Sequence, residues 1–237
     1  MTLASEPHPV TGQPVGLPID TAPAMLPGPV TLEGRFGRVE RLDADRHGAA
    51  LWEAVKGHDH IWTYLSAYGP FADNATFSGW LASRVALADP YSYAIVEPSG
   101  RAVGLSTLME IRPAMRVIEV GHIVYSPALQ RTQLGTEAQY LLARHAFETL
   151  GYRRYEWKCN ALNAASCAAA LRYGFVHEGT FRQRMIAKGR NRDDAWFSML
   201  DSEWPSRKAA FEQWLAPGNF DGEGRQRRRL EDIREAL

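Results

Sequence analysis

The chain has 237 residues, and Lys plus Arg equal Asp plus Glu at 27 each, so the formal net charge is zero. That balance excludes a protein that binds nucleic acid with its whole surface, because phosphate neutralisation dominates such binding. Hydrophobic residues at 45% give enough material for a sheet covered by helices, while no apolar run approaches the roughly 18 residues read as a membrane span.

Residues 1–30 carry Pro7, Pro9, Pro14, Pro18, Pro23, Pro27 and Pro29. Proline fixes its own φ and lacks an amide donor, so this stretch is expected to be an extended arm. The folded unit is expected over 31–203, with a C-terminal helix and polar tail over 204–237. Phe36, Val39 and Leu42 are spaced as in an irregular strand, after which Asp43 or Asp45 caps a helix through Ala49, Leu51, Trp52 and Val55. Ile61 to Phe71 is aromatic and broken by Gly69-Pro70, which reads as a loop with a short helical turn. Asp73 or Asn74 caps a second helix carrying Phe77, Trp80, Leu81 and Val85, and Pro90 ends it.

Three strands follow: Tyr91 to Glu97, Ala102 to Glu110 and Val117 to Tyr125, joined by turns at Pro98-Ser99-Gly100 and Arg112-Pro113. Two consecutive antiparallel hairpins are expected. From Thr136 the period becomes helical, with Ala138, Leu141, Leu142, His145, Ala146 and Leu150 on one face and Gly151 as the stop. A short strand covers Arg154 to Cys159, and Asn163 caps a helix ending at Tyr173-Gly174. Phe175 to Phe181 and Ala195 to Leu200 are read as a closing hairpin across the polar turn Lys188 to Asp194. Trp204 to Leu215 is helical, and the arginines at 227–229 read as a solvated tail. The element order predicts an α+β fold with mixed strand pairing.

Cys159 and Cys167 belong to no CxxC pair or His/Cys cluster, so neither a metal site nor a disulfide framework is expected. With no charged start and apolar run at the N-terminus, the expected location is cytoplasmic.

Chemistry concentrates in Val120 to Leu142. A strand ends at Tyr125 or Ser126, a loop follows, and a helix begins near Leu134. The first helical amides are left unpaired with the positive end of the helix dipole behind them, an arrangement that holds a pyrophosphate. Thr132 and Thr136 add hydroxyls, and Gly135 permits close backbone approach.

The run Gln130-Arg131-Thr132-Gln133-Leu134-Gly135-Thr136 resembles the acyl-CoA pyrophosphate loop of the GNAT acetyltransferase superfamily, Q/R-x-x-G-x-G/A. Gln130 matches its first position and Gly135 its last. Gln133 replaces the middle glycine, as in the branch of Rim-type ribosomal-protein N-terminal acetyltransferases. Asn163-Ala164-Ala165-Ser166, then Leu171-Arg172-Tyr173-Gly174-Phe175 and Glu178-Gly179, resemble further segments of that branch. The resemblance implies a mixed, mostly antiparallel sheet flanked by helices, splaying two parallel strands near Tyr125 and Trp157 to hold acyl-CoA. It also implies acetyl-CoA as co-substrate, an amine acceptor and a homodimer. The implied CoA contacts are Ile123, Val124 and Tyr125 on the strand, the loop 130–136, and Asn163 and Ser166, with an amide near Ile123 or Val124 polarising the thioester carbonyl.

Attack of an amine on a thioester needs a neutral amine, whose proton a side-chain base or water carries away, and a proton for the leaving thiolate. The tyrosine that many relatives use for the second task is replaced by Ala170, leaving Ser166 as the implied donor, unless its hydroxyl merely caps a helix. For the base, Glu119 and His122 lie on the strand feeding the loop, and their odd separation places them on opposite faces. Glu178 is a third candidate. Trp62, Tyr64, Tyr68 and Phe71 either line the acceptor pocket or form a packing layer, and Asp193 or Asp194 either grips an ammonium or belongs to a solvated turn. The leading function is N-acetylation of a primary amine, of a small molecule or an N-terminus. The alternatives are a CoA-binding or regulatory module with weak chemistry and a ribosome- or RNA-associated protein using the basic tail.

Overall fold

Asp43 and Asp73 act as the helix caps their positions predict. Asp43 accepts from the Arg46 amide at the start of α1 (Ala44–Val55), and Asp73 from the Thr76 amide at the start of α2 (Asn74–Val85). The structure, a computed structural model, describes residues 4–237. Before α1, β1 (Ser5–Pro7) and β2 (Pro14–Gly16) pair as a small antiparallel hairpin. Its turn is closed by the His8 amide donating to the Gln13 carbonyl at 2.8 Å, a local contact that the proline content did not foretell. The following chain is pinned to the body where the Ala24 amide meets the Pro113 carbonyl and the Met25 amide the Leu150 carbonyl.

Eight strands form the main sheet: β3 (Thr31–Glu33), β4 (Arg38–Arg41), β5 (Tyr91–Val96), β6 (Ala102–Arg112), β7 (Val117–Tyr125), β8 (Arg154–Asn160), β9 (Val176–Ala187) and β10 (Arg190–Leu200). Their order is β3-β4-β5-β6-β7-β8-β10-β9, and β7–β8 alone is parallel. The connection between those two carries α3 (Gln133–Arg144), which widens into a π-turn at His145–Thr149. α4 (Ala164–Tyr173) joins β8 to β9 and ends at Gly174, whose φ of 94° suits glycine.

One sheet face packs on α1 and α2 through Leu51, Val55, Phe77 and Leu81. The other packs on α3, α4, α5 (Trp204–Leu215) and α6 (Leu230–Glu235). Residues 217–237 join that second core: Leu230 and Ile233 are buried, and Phe220 stands edge-on to Trp214 at 5.1 Å. The arginines at 227–229 stay exposed beside them.

The β9–β10 hairpin corrects the expected turn from Lys188 to Asp194. Only Lys188 and Gly189 turn, at φ of 50° and 72°, and Arg190 to Asp194 are strand. Positive φ at both central residues is the two-residue hairpin whose twist matches that of the strands, so the charged run continues the ladder.

Candidate active site

β7 and β8 stay paired only from Val117–Arg154 to Val120–Trp157. Beyond that point β7 follows β6, with Tyr125 opposite Gly104, and β8 follows β10, with Asn160 opposite Asp194. The strands therefore part as the resemblance implied, leaving a wedge that opens into a cavity of about 270 Å³.

β7 carries a bulge at this place. His122 and Ile123 together stand against Ser106, between the pairs Gly121–Thr107 and Val124–Leu105. His122 takes a left-handed φ of 46°, uncommon outside glycine. The extra residue shifts the side-chain alternation by one. Glu119 and His122 accordingly line the same cavity, which overturns their expected placement on opposite faces. The bulge also releases Ile123 from the β6 ladder, whereas Val124 remains paired with Leu105 and buried.

The two candidate bases differ electrostatically. The Glu119 carboxylate is buried, and its Oε2 lies 2.7 Å from Lys158 Nζ. Burial pushes it up to about 7 against the pull of Lys158, with Glu110 and Glu156 adding to the rise. Burial pushes His122 down to about 4, helped by Arg84 and Arg192, so its ring is neutral at neutral pH. Its Nδ1 is buried without a hydrogen-bond partner, and Tyr68 stands edge-on to it at 5.5 Å. Glu178 belongs elsewhere: it accepts from Arg154 Nη1 and from the Ser198 hydroxyl and does not line the cavity.

Ser166 enters from the first turn of α4. Asn163 Oδ1 caps that helix by accepting from the Ser166 amide at 3.1 Å, so the serine hydroxyl is not the cap. Instead Ser166 Oγ accepts from Trp157 Nε1 at 3.0 Å, which leaves its own hydrogen to donate. Ala170, at the position of the missing tyrosine, is sealed in the core.

At the other end of the wedge, Ser126 to Thr132 forms the loop into α3. Gln130 Nε2 donates to the Tyr125 carbonyl, Arg131 takes a φ of 62°, and Thr132 Oγ1 caps the helix by accepting from the Gly135 amide at 3.0 Å. Among the described residues the amides of Arg131, Gln133 and Leu134 make no hydrogen bond. Gly135 differs from its expected role. Its amide is used by Thr132, and a Cβ there would lie 2.8 Å from the Leu129 carbonyl and 3.2 Å from the Tyr125 ring. Packing inside the loop requires that glycine. Thr136 Oγ1 accepts from Arg172, and Gln133 Nε2 donates to the Gly224 carbonyl, joining the C-terminal segment to the loop.

Of the four expected acceptor-side aromatics, Tyr64 lines the cavity. Tyr68 and Phe71 lie tilted against Trp80, and Trp62 meets it edge-on, as a packing layer. Asp193 is engaged inside the hairpin by the Gln183 amide, and Asp194 lines the cavity paired with Arg192 at 2.6 Å. Sequence reasoning missed Lys158, which is one of several polar residues alternating with Tyr155, Trp157 and Cys159 along β8 and so carried no signal of its own. It passed over Arg192 because that residue was assigned to a turn.

A family model described as an acetyltransferase (GNAT) domain matches residues 39–176. A GCN5-related N-acetyltransferase from Brucella melitensis is 45% identical, with a TM-score of 0.88 over 90% of this chain and 98% of its own. A protein from Chromobacterium violaceum described as a probable acetyltransferase of the GNAT family is also 45% identical, with a TM-score of 0.76 over 84% of this chain and all of its own. The ribosomal-protein α-N-acetyltransferase RimL shares the fold at 19% identity, with a TM-score of 0.63 over 73% of this chain and 94% of its own. No curated protein matches the chain. The chain belongs to the GNAT family of acetyltransferases and is an acyl-CoA-dependent N-acyltransferase.

Proposed function

We propose that the protein moves an acetyl group from acetyl-CoA to a primary amine, of a small molecule or an exposed N-terminus, by direct attack within the wedge between β7 and β8. The observation that carries this reading is the convergence of Glu119 and Ser166 on one cavity in the wedge, with three unpaired amides in the loop and first turn of α3 that follow β7. Those amides, of Arg131, Gln133 and Leu134, suit a pyrophosphate, with the helix dipole behind them. Acetyl-CoA, as substrate, supplies an acyl group on sulfur.

Each remaining task falls to a residue of this chain. Glu119, with its carboxyl lifted to about 7, takes a proton from the attacking amine near neutral pH. His122, lowered to about 4, is the poorer acceptor and packs the wall. Lys158 holds the Glu119 carboxylate in place. The Ile123 amide, freed by the bulge, donates to the acyl oxygen as charge develops there. Ser166 gives its hydroxyl hydrogen to the departing sulfur. The amine nitrogen gains the carbon and the carbon–sulfur bond breaks. One proton goes to Glu119 and another comes from Ser166, and exchange with solvent then returns Glu119 to its carboxylate and Ser166 to its hydroxyl. The exposed outer strand β9, with Phe181 and Ile186 turned outward, supports a homodimer as the assembly. The absence of a cysteine framework supports a cytoplasmic location.

Thiol release from acetyl-CoA, followed against a panel of amines and peptides, tests the reading. Amine-dependent release is expected, and acetyl-CoA binding with no release for any amine would replace it with a binding module.

A further inference from the structure

Two elements of the cavity wall meet through sulfur. Cys159 lies on β8, lines the cavity and is buried, and Cys167 follows Ser166 on α4 and is half-buried. Their Sγ atoms are 3.5 Å apart. A disulfide needs about 2.05 Å between sulfurs, so closure asks for an approach of about 1.5 Å. These are the chain's two cysteines, and the expectation of neither a metal site nor a disulfide framework did not foresee their contact across a helix–strand interface.

We propose that Cys159 and Cys167 are a thiol modification site, converted to a disulfide by a hydroperoxide, and that closure of this bond disturbs the acyl-CoA cleft. Cys167 is the more accessible sulfur and reacts first. It attacks the peroxide, the O–O bond breaks, and the products are a sulfenic acid on Cys167 and an alcohol, or water from hydrogen peroxide. The Cys159 sulfur then attacks the sulfenic sulfur, the S–S bond forms and the S–O bond breaks. The hydroxyl leaves with the Cys159 proton as water. In total two thiols and one hydroperoxide become one disulfide, one alcohol and one water. Burial raises the Cys159 thiol well above its ordinary range, which makes it a slow partner that waits for the sulfenic acid on Cys167.

The consequence for the cleft rests on the acyl-CoA reading above. Ser166 is adjacent to Cys167 in the chain and is held to Trp157 through Oγ. Drawing the first turns of α4 toward β8 therefore moves Ser166 and the Asn163 cap together. Asn163 is the expected CoA contact of the pair, so its displacement weakens acetyl-CoA binding, and a misplacement of Ser166 near 1 Å also costs on the order of a hundredfold in turnover.

The test treats the intact protein with tert-butyl hydroperoxide, then alkylates the remaining thiols and weighs it. The wild type is expected to lose both alkylation sites, to lighten by two hydrogens, and to recover both thiols with dithiothreitol. Cys167→Ser is expected to keep its single thiol under the same treatment, because Cys159 alone is buried. Two alkylatable thiols after oxidation, or mass gains of oxygen with no disulfide, would overturn the site. Calorimetry with acetyl-CoA on the oxidised and reduced forms reads the second half: weaker binding after oxidation, restored by reduction, is expected. A disulfide with unchanged acetyl-CoA affinity would overturn the link to the cleft. Reduced protein that binds no acetyl-CoA would instead count against the acyl-CoA reading, with the thiol assay still deciding the modification.

Discussion

Replacing Glu119 with Gln keeps the shape of the side chain and removes its ability to take a proton. A positioned general base contributes roughly 10²–10⁴ in rate, or about 3–5 kcal/mol of activation free energy, so kcat/KM of Glu119→Gln is expected to fall by that factor. The pH dependence is the sharper reading. The carboxyl is raised to about 7 by burial, and only its charged form accepts a proton, so wild-type transfer should rise as pH climbs through about 7 and level off above it. The variant should lose that limb. Acetyl-CoA affinity should hold, because the unpaired amides of Arg131, Gln133 and Leu134 belong to α3 and its loop. The substitution also leaves the largely buried Lys158 ammonium without its partner, which lowers Tm. The double variant Glu119→Gln/Lys158→Met should regain stability while staying slow, separating chemistry from folding. Thiol release against pH for the three proteins is the assay. A Glu119→Gln protein with wild-type kcat/KM and an unchanged limb near 7 would refute the assignment.

Ser166→Ala should lower kcat at nearly constant acetyl-CoA affinity, and a circular-dichroism melt should show a loss of about 1–3 kcal/mol from the orphaned Trp157 indole N–H. Equal losses of kcat and affinity would make Ser166 a binding residue. Gly135→Asp should weaken acetyl-CoA binding severely and also lower Tm, since its Cβ meets the Leu129 carbonyl; calorimetry and a melt read the two effects. Leu230→Ala should cost about 2–5 kcal/mol in denaturant unfolding, because that leucine is buried in the core shared with α5. A loss under about 0.5 kcal/mol, as at ordinary surface positions, would show that the C-terminal segment contributes no packing.

Local chemistry made much of the fold legible. Asp43, Asp73 and Asn163 sit where short polar side chains cap helices, and Gly151 and Gly174 take the positive φ that ends them. Alternation recovered β5 to β7, with β7 bounded at Val117 and Tyr125. Some misses come from information carried by distant contacts, and others from local signals too weak or too crowded to read. Gln133 and Gly224 are 91 positions apart, and nothing near either announces their hydrogen bond. The polar run at 225–229 hid a six-residue helix whose two buried residues, Leu230 and Ile233, are too few to raise a periodic signal. In the site, the residue types were readable and their geometry was not. His122 is not a residue type that advertises a left-handed bulge, so the usual alternation put Glu119 and His122 on opposite faces. Lys188-Gly189 was a hairpin signal of its own, obscured by the charges after it.

The most direct test of the central claim is an amide-resolved NMR titration with acetyl-CoA, run beside S-acetylpantetheine, which lacks the phosphates. The account predicts that the amides of Arg131, Gln133 and Leu134 shift strongly with acetyl-CoA alone, while residues around Ile123 and Ser166 respond to both. Shifts confined to another surface, with the three amides unmoved by acetyl-CoA, would contradict it.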